Sequence, residues 1–417
     1  MKTKLELVAF LLGACAAAGA QVAPEATSGA AYLHYSFHYG QSAEVGGLGN
    51  EQMSNASADV SYANGNGRTP FVMDYGGGYS WNISGPSYGS GIFQHLTASQ
   101  GLNWHKWNFN ASDNVSYLPA SATTGFTGVP GTGEPIGGPG TNPPTDEGIL
   151  TLHTPIVAND VSGSAGHRLG YATTISMGGG SDKIYFPDGN GIETSGESAT
   201  VGLSRRLSAR SSLTGSYAFS RYSYSEYVFS FMSNSVFAGF SRTWNRKLST
   251  TVSAGPQWVG TLNGQTALST TTETPAAAAE PIRTTFGANA SASYHNRAFT
   301  GSLSYSRGTS GGSGYLLGQQ SDSINANLAK TLGRKLNIGI DGSYQRIKGL
   351  EASGVVDAKF GGAQASYGLG RYLSTFASYT AVGQSSSATL PGNAISGLYQ
   401  IISFGLSYSP RETHLTH

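Results

Sequence analysis

The chain has 417 residues, Lys+Arg 24 against Asp+Glu 23, and only 11% of it is charged. That balance leaves no basic footprint and makes nucleic acid a poor partner. A hydrophobic share of 38%, with Gly 59 and Tyr 23, is low for the packed core of a soluble enzyme of this length. It suits strands whose alternate residues face lipid and a polar lumen.

Residues 1–20 read as a secretory signal. Lys2 and Lys4 form a positive start, Val8-Ala9-Phe10-Leu11-Leu12 an apolar centre, and Ala18-Gly19-Ala20 a cleavage site that leaves Gln21 at the mature start. Leu12-Gly13-Ala14-Cys15 also resembles a lipoprotein cleavage box, so processing at Cys15 is the alternative. If Cys15 leaves with the signal, the mature chain holds no cysteine and forms no disulfide. Beyond residue 21 no stretch approaches the ~20 apolar residues of a membrane helix.

After a short segment at 21–30, two-faced segments follow one another along the chain. The pattern places strands near 31–40, 52–63, 70–81, 93–103, 107–117, 157–167, 171–185, 194–206 and 211–223. It continues near 233–244, 247–259, 283–294, 298–308, 322–332, 335–347, 354–368, 372–382 and 398–409. That is eighteen; sixteen is the alternative, because 148–193 is hard to parse. Within them period two is plain. Leu213, Gly215, Tyr217 and Phe219 oppose Thr214, Ser216, Ala218 and Ser220. Phe299, Gly301, Leu303 and Tyr305 oppose Thr300, Ser302, Ser304 and Ser306. Leu336, Ile338 and Ile340 oppose Asn337, Gly339 and Asp341, and the alternation runs on through Ser343 and Gln345. Apolar anchors six or eight residues apart lie ~20–27 Å from one another along a strand, close to the hydrophobic height of an outer membrane.

The strands are joined by a recurring turn. Leu332-Gly333-Arg334-Lys335-Leu336 and Leu369-Gly370-Arg371-Tyr372-Leu373 share L-G-R-x-L. Trp244-Asn245-Arg246-Lys247-Leu248, Leu207 to Leu213 around Arg210, and Tyr294 to Phe299 around Arg297 are variants. Arg210, Arg246, Arg297, Arg334 and Arg371 would then sit among interfacial head groups. The longer connections fall on the other side: the Pro/Gly-rich 119–156, then 261–281, 309–321 and 383–397, all read as surface loops, the 261–281 loop able to fold inward. Most aromatics (Tyr32, Trp104, Trp107, Tyr217, Trp244, Trp258, Tyr344) fall on the apolar face or at strand ends and read as interfacial girdles rather than a sugar-stacking track.

Signal, hairpin repeats and an aromatic-rich last strand together resemble the bacterial outer-membrane β-barrel porins, over residues 30–409 and as architecture rather than as one diagnostic motif. The resemblance implies insertion by the outer-membrane barrel assembly machinery through a terminal strand bearing Phe404, Leu406 and Tyr408, although Ser409 to His417 follow where that class ends on an aromatic.

Chemistry is sparse. His34 and His38 share a strand face but lie about 13 Å apart, too far to ligate one metal. Gly85-Pro86-Ser87-Tyr88-Gly89 matches G-x-S-x-G without the strand-turn-helix context of a nucleophile elbow. Combinations of His34, Ser36 and Asp59 or Asp74 are not singled out by any pattern, so no catalytic, cofactor or metal site is assigned. The expectation is all-β: a transmembrane antiparallel up-and-down barrel of about 16–18 strands over 31–409, with a tail at 410–417. Its nearly uncharged lumen would be lined by Thr214, Ser216, Ser302, Ser304, Asn337, Asp341, Ser343 and Gln345, and would pass small polar solutes with weak charge selectivity. A surface scaffold or adhesin, and a conduit for exported polysaccharide, are the other readings.

Overall fold

A computed structural model describes residues 31–46, 49–65, 67–85, 90–118, 155–189, 191–225, 230–262, 283–312, 318–350, 354–387, 397–411 and 413–415. The expected signal, its alternative cleavage at Cys15, and the loops 119–154 and 263–282 lie outside them. Eighteen strands follow in chain order. They are β1 Ala31–Gly46, β2 Gly49–Asn64, β3 Phe71–Ser84, β4 Gly91–Trp104, β5 Trp107–Leu118 and β6 Ile156–Arg168. Next come β7 Thr173–Tyr185, β8 Thr194–Arg206, β9 Ser211–Tyr224, β10 Ser230–Thr243, β11 Leu248–Leu262 and β12 Arg283–His295. The last are β13 Phe299–Ser310, β14 Gln319–Leu332, β15 Leu336–Gly349, β16 Val355–Gly368, β17 Leu373–Ser386 and β18 Gly397–Tyr408. No helix among the described residues is long and apolar enough to cross a membrane.

Each strand pairs antiparallel with the next, and β18 returns to β1 from Phe37↔Tyr408 to Gly46↔Tyr399. The sheet is therefore closed. Closure matters because a lipid environment offers no partner to a free edge, where every unpaired N–H or C=O costs several kcal/mol. The described part of the ambiguous 148–193 region holds β6 and β7, so eighteen strands form the closed wall among the described residues. Residues 410–417 are not simply a tail: Thr413–Leu415 forms β19, which pairs with Ala31–Leu33 below the end of β18.

The repeated turns share one hydrogen-bond pattern. Leu169, Leu207, Trp244 and Leu369 each donate N–H to the carbonyl four residues on, that of Thr173, Ser211, Leu248 and Leu373, at 2.9–3.0 Å. Asn245 Oδ1 accepts from the N–H groups of Lys247 and Leu248, and Asn296 Oδ1 from Ala298 and Phe299, fixing those two turns through their side chains. Neighbouring turns are also laced together. Arg206 N–H donates to Ala172 O, Thr243 to Arg210 O, His295 to Lys247 O and Thr331 to Ala298 O, at 2.7–2.9 Å. Gly333 takes φ 67 with open space around it, so glycine serves that turn by its backbone freedom alone.

One face of the wall is apolar and exposed. It carries Tyr35, Phe37 and Tyr39 on β1, Val201 and Leu203 on β8, Leu303 on β13, Ile338 and Ile340 on β15, and Ile402, Phe404 and Leu406 on β18. Contacts that skip a strand occur on the other face, as a concave surface requires. A methyl group on Gly405 would lie 2.5 Å from the Phe376 ring of β17, and one on Gly40 of β1 3.4 Å from it. The apolar face is thus the exterior. Its lower border holds Trp104, Leu207, Trp244, Leu369 and Tyr408 beside the short turns. Its upper border is drawn by tyrosines whose hydroxyls donate to a polar belt: Tyr217 to Asn234, Tyr305 to Asp322, Tyr344 to Asp357 and Tyr379 to Gln400. Amphipathic rings at both edges of an oily band are the mark of a membrane interface.

Candidate functional site: the barrel lumen

The concave face is built from the residues alternate to the oily ones. Register brings hydroxyls together across strands: Ser212 with Ser241, Ser249 with Ser293, and Ser306 with Ser323, each pair at 2.6 Å. Satisfied in pairs, these short side chains keep the wall polar without filling the space before it. Asn289, Ser291 and Ser293 on β12 are exposed there.

Every lumen residue anticipated from sequence lies on this face. Thr214, Ser302 and Asn337 are exposed, and Ser216, Ser304, Asp341 and Ser343 half-buried. Gln345 is only 9% exposed. Among the polar side chains on the inner face of β15, Asn337 near the turns is exposed, Asp341 and Ser343 are half-buried, and Gln345 near the loops is buried.

The loss of space has a structural cause that sequence reasoning missed. Toward the loop end the inner face turns apolar and buried, with Phe93, Ile184, Tyr224, Phe231, Val259 and Ile347 on it. Tyr224, Phe231 and Val259 form a cluster joined by Tyr222, Ile192 and Leu350. The described ends of the β13–β14 connection, which was expected at the surface, lie against that cluster. Tyr224 donates its hydroxyl to the Gly311 carbonyl, and a methyl group on Gly311 would lie 2.4 Å from the Tyr222 ring. Gly312 (φ 95) and Gly318 (φ 70) adopt backbone that only glycine takes easily. An apolar residue ending a polar row, as Ile347 does after Ser343 and Gln345 on the inner face of β15, was the available signal.

On the wall of β1 to β4 several candidate residues do come together. His38 Nε2 lies 2.9 Å from Asp59 Oδ2 and 2.9 Å from Ser36 Oγ. A methyl group on Gly76 would lie 2.1 Å from His95 Cε1 and 2.3 Å from Asp59 Oδ1, so His95 and Asp59 converge over that glycine. His34 is turned to Ser409, 3.0 Å away, and joins neither. The set resembles a nucleophile, base and acid only by composition. In a working triad the carboxylate and the hydroxyl engage opposite ring nitrogens. Here both engage Nε2, while His38 Nδ1 has no partner. No group of His, Cys, Asp and Glu among the described residues could hold a metal ion. Of the G-x-S-x-G match only Gly85 is described.

Arg210, Arg246, Arg297, Arg334 and Arg371 are all exposed at the short turns. Arg371 lies 5.8 Å over the Tyr372 ring, Arg242 4.3 Å over Trp244, and Arg210 reaches the Trp244 carbonyl. Phe404, Leu406 and Tyr408 point outward from β18.

A closed, two-faced cylinder with an oily band between aromatic borders and a polar interior defines an integral β-barrel of the outer-membrane type. No family model and no curated protein matches the chain. Among solved structures it is similar to Acinetobacter baumannii OccAB4, at 10% identity over 94% of this chain and 100% of that one, with a TM-score of 0.46. Pseudomonas aeruginosa OccK2 (OpdF) gives 11%, 94%, 100% and 0.46, and Pseudomonas aeruginosa OprD 10%, 94%, 98% and 0.40. At that identity and those TM-scores the likeness assigns neither solute nor mechanism to this chain.

Proposed function

We propose that the protein is a porin-like channel of the bacterial outer membrane that lets small polar solutes diffuse through its lumen. The observation that carries this reading is the exposed polar wall at Asn289, Ser291, Ser293, Thr214 and Asn337, behind an exterior that is apolar at the same level. A barrel of this strand number encloses more space than its own side chains fill. Serine and asparagine there replace water around a passing solute at small cost, while the loop-side third selects by size. Purified, folded protein in a planar bilayer should give discrete conductance steps. Silent bilayers with protein shown to be inserted would remove the reading.

A surface scaffold with a closed lumen is the second reading, favoured by the packing of Gly311 and Leu350 against Tyr222, Tyr224 and Phe231. Insertion is assigned to the barrel assembly machinery acting on β18, whose outward Phe404, Leu406 and Tyr408 offer an apolar row.

A further inference from the structure

Sorting the charged side chains by face shows a segregation that the chain's overall balance hides. On the wall between the two rims, the lumen face carries Asp59, Asp74, Asp160, Asp182 and Asp341. Among the described residues no Lys or Arg shares that face with them. Lumen-facing cations occur only at strand ends: Arg168 and Arg206 at the short-turn rim and Arg283 at the loop rim. The cations within strands, Lys183, Arg221, Arg307, Arg346 and Lys359, stand with the apolar residues on the outside.

The exterior carboxylates are offset where they stand. Asp322 lies 3.3 Å from Arg307 and Asp357 3.9 Å from Arg346. Glu197 is opposite Arg221 in the ladder, and Asp113 accepts a 2.7 Å hydrogen bond from Asn159. On the lumen side Asp59 lies 2.9 Å from His38, and among the described residues no Lys or Arg stands on that face between the rims to balance the aspartates. Asp160 and Asp182 face each other across β6 and β7, so the register doubles the negative charge at that point. Asp341 leans over Gly362, within 2.8 Å of where a methyl group would sit.

From this placement we infer that the lumen prefers cations, inorganic ions and small organic amines alike, over anions of the same size. Fixed charge of one sign in a water-filled cleft with low-dielectric walls concentrates the opposite ion and excludes its own. The inference rests on the channel reading and departs from the weak selectivity that composition suggested. The Arg168 and Arg206 rim stands at the short-turn mouth, outside the stretch where Asp160, Asp182 and Asp341 act.

The test is the reversal potential of the folded, full-length barrel in planar bilayers across a KCl gradient. The native protein should pass K⁺ over Cl⁻ by at least about threefold. Asp160→Asn with Asp182→Asn and Asp341→Asn should bring the ratio toward unity, and Ser302→Lys should lower it independently. Conducting channels with a native ratio at or below unity would overturn the inference while leaving the channel. An unchanged ratio in the folded triple variant would also overturn it. Absence of any conductance would instead strike the channel reading itself. Should the triple variant not insert, the native ratio and Ser302→Lys still decide.

Discussion

Leu303 and Ser304 are consecutive residues of β13 on opposite sides of the wall, and an arginine at each separates inside from outside. Leu303 is 54% exposed and lies between Ala292 and Ala326 in the ladder. It stands four residues above Phe299, about 10 Å along the barrel axis for a strand tilted by ~40°. In an apolar band ~25 Å tall that is close to the midplane, where an arginine facing lipid costs about 2–4 kcal/mol. Ser304 is half-buried beside Ser291 and Asn325, and an arginine there stays in water, with an expected change within about 0.5 kcal/mol. Leu303→Arg should thus reduce the folded-to-unfolded ratio roughly 30- to 1,000-fold at 1.4 kcal/mol per tenfold. Ser304→Arg should leave it within about threefold. The assay is urea-dependent folding into lipid vesicles, read by heat-modifiable migration on a gel. Equal costs at the two positions, or the larger cost at Ser304, would mean that the oily face is turned inward and that there is no lumen.

Three further outcomes follow from single contacts. Asn245→Ala removes two side-chain hydrogen bonds from the β10–β11 turn, of 2.8 and 3.0 Å, and should lower stability by about 1–2 kcal/mol in the same urea titration. An unshifted midpoint would show that the turn is held by the ladder alone. Tyr224→Phe removes one of the two hydrogen bonds that the Gly311 carbonyl accepts, the other coming from Gly318 N–H at 3.1 Å, at a site 4% exposed, so channel currents should become noisier and larger; unchanged traces would refute the idea that the tyrosine bond restrains Gly311. Tyr408→Ser combined with Phe404→Ser should cut the assembled, heat-modifiable form in outer membranes several-fold, while a normal yield would dismiss β18 as the assembly signal.

Much of the wall could be read from sequence because lipid imposes period two on one face and the short turns repeat. Leu369 to Leu373 and Leu207 to Ser211 close with the same hydrogen bond although only the first carries L-G-R-x-L. Strand ends near the loops were harder to read. β1 runs to Gly46 and β17 to Ser386, well past the alternation that marked them, since above the oily band both faces are polar and the pattern stops. Thr413–Leu415 is too short to show a period, and its pairing with β1 depends on where closure leaves room. The lumen residues could be picked by parity, but Ser36, His38, Asp59 and His95 come from three different strands and meet only once register is set. The β13–β14 connection reads in sequence as an ordinary Gly-rich loop, and nothing in it names Tyr222 as the partner of Gly311.

Transport and surface display differ here by a loop rather than by the wall. The strands, the girdles and the lumen aspartates are the same in either case. What separates the two is whether Gly311, Gly318 and Leu350 stay against Tyr222, Tyr224 and Phe231. Tyr224 gives that contact one buried hydrogen bond, worth about 1 kcal/mol net, while Gly318 N–H to Gly311 O and Leu350 N–H to Gly318 O, each 3.1 Å, tie the three residues to one another. The ladder beneath is tied by backbone hydrogen bonds along every strand, including the β18 to β1 seam, and cannot open on that scale. The wall is the continuous part of the barrel, and the contact of Gly311 with Tyr222 and Tyr224 at its loop-side end is held by far fewer bonds.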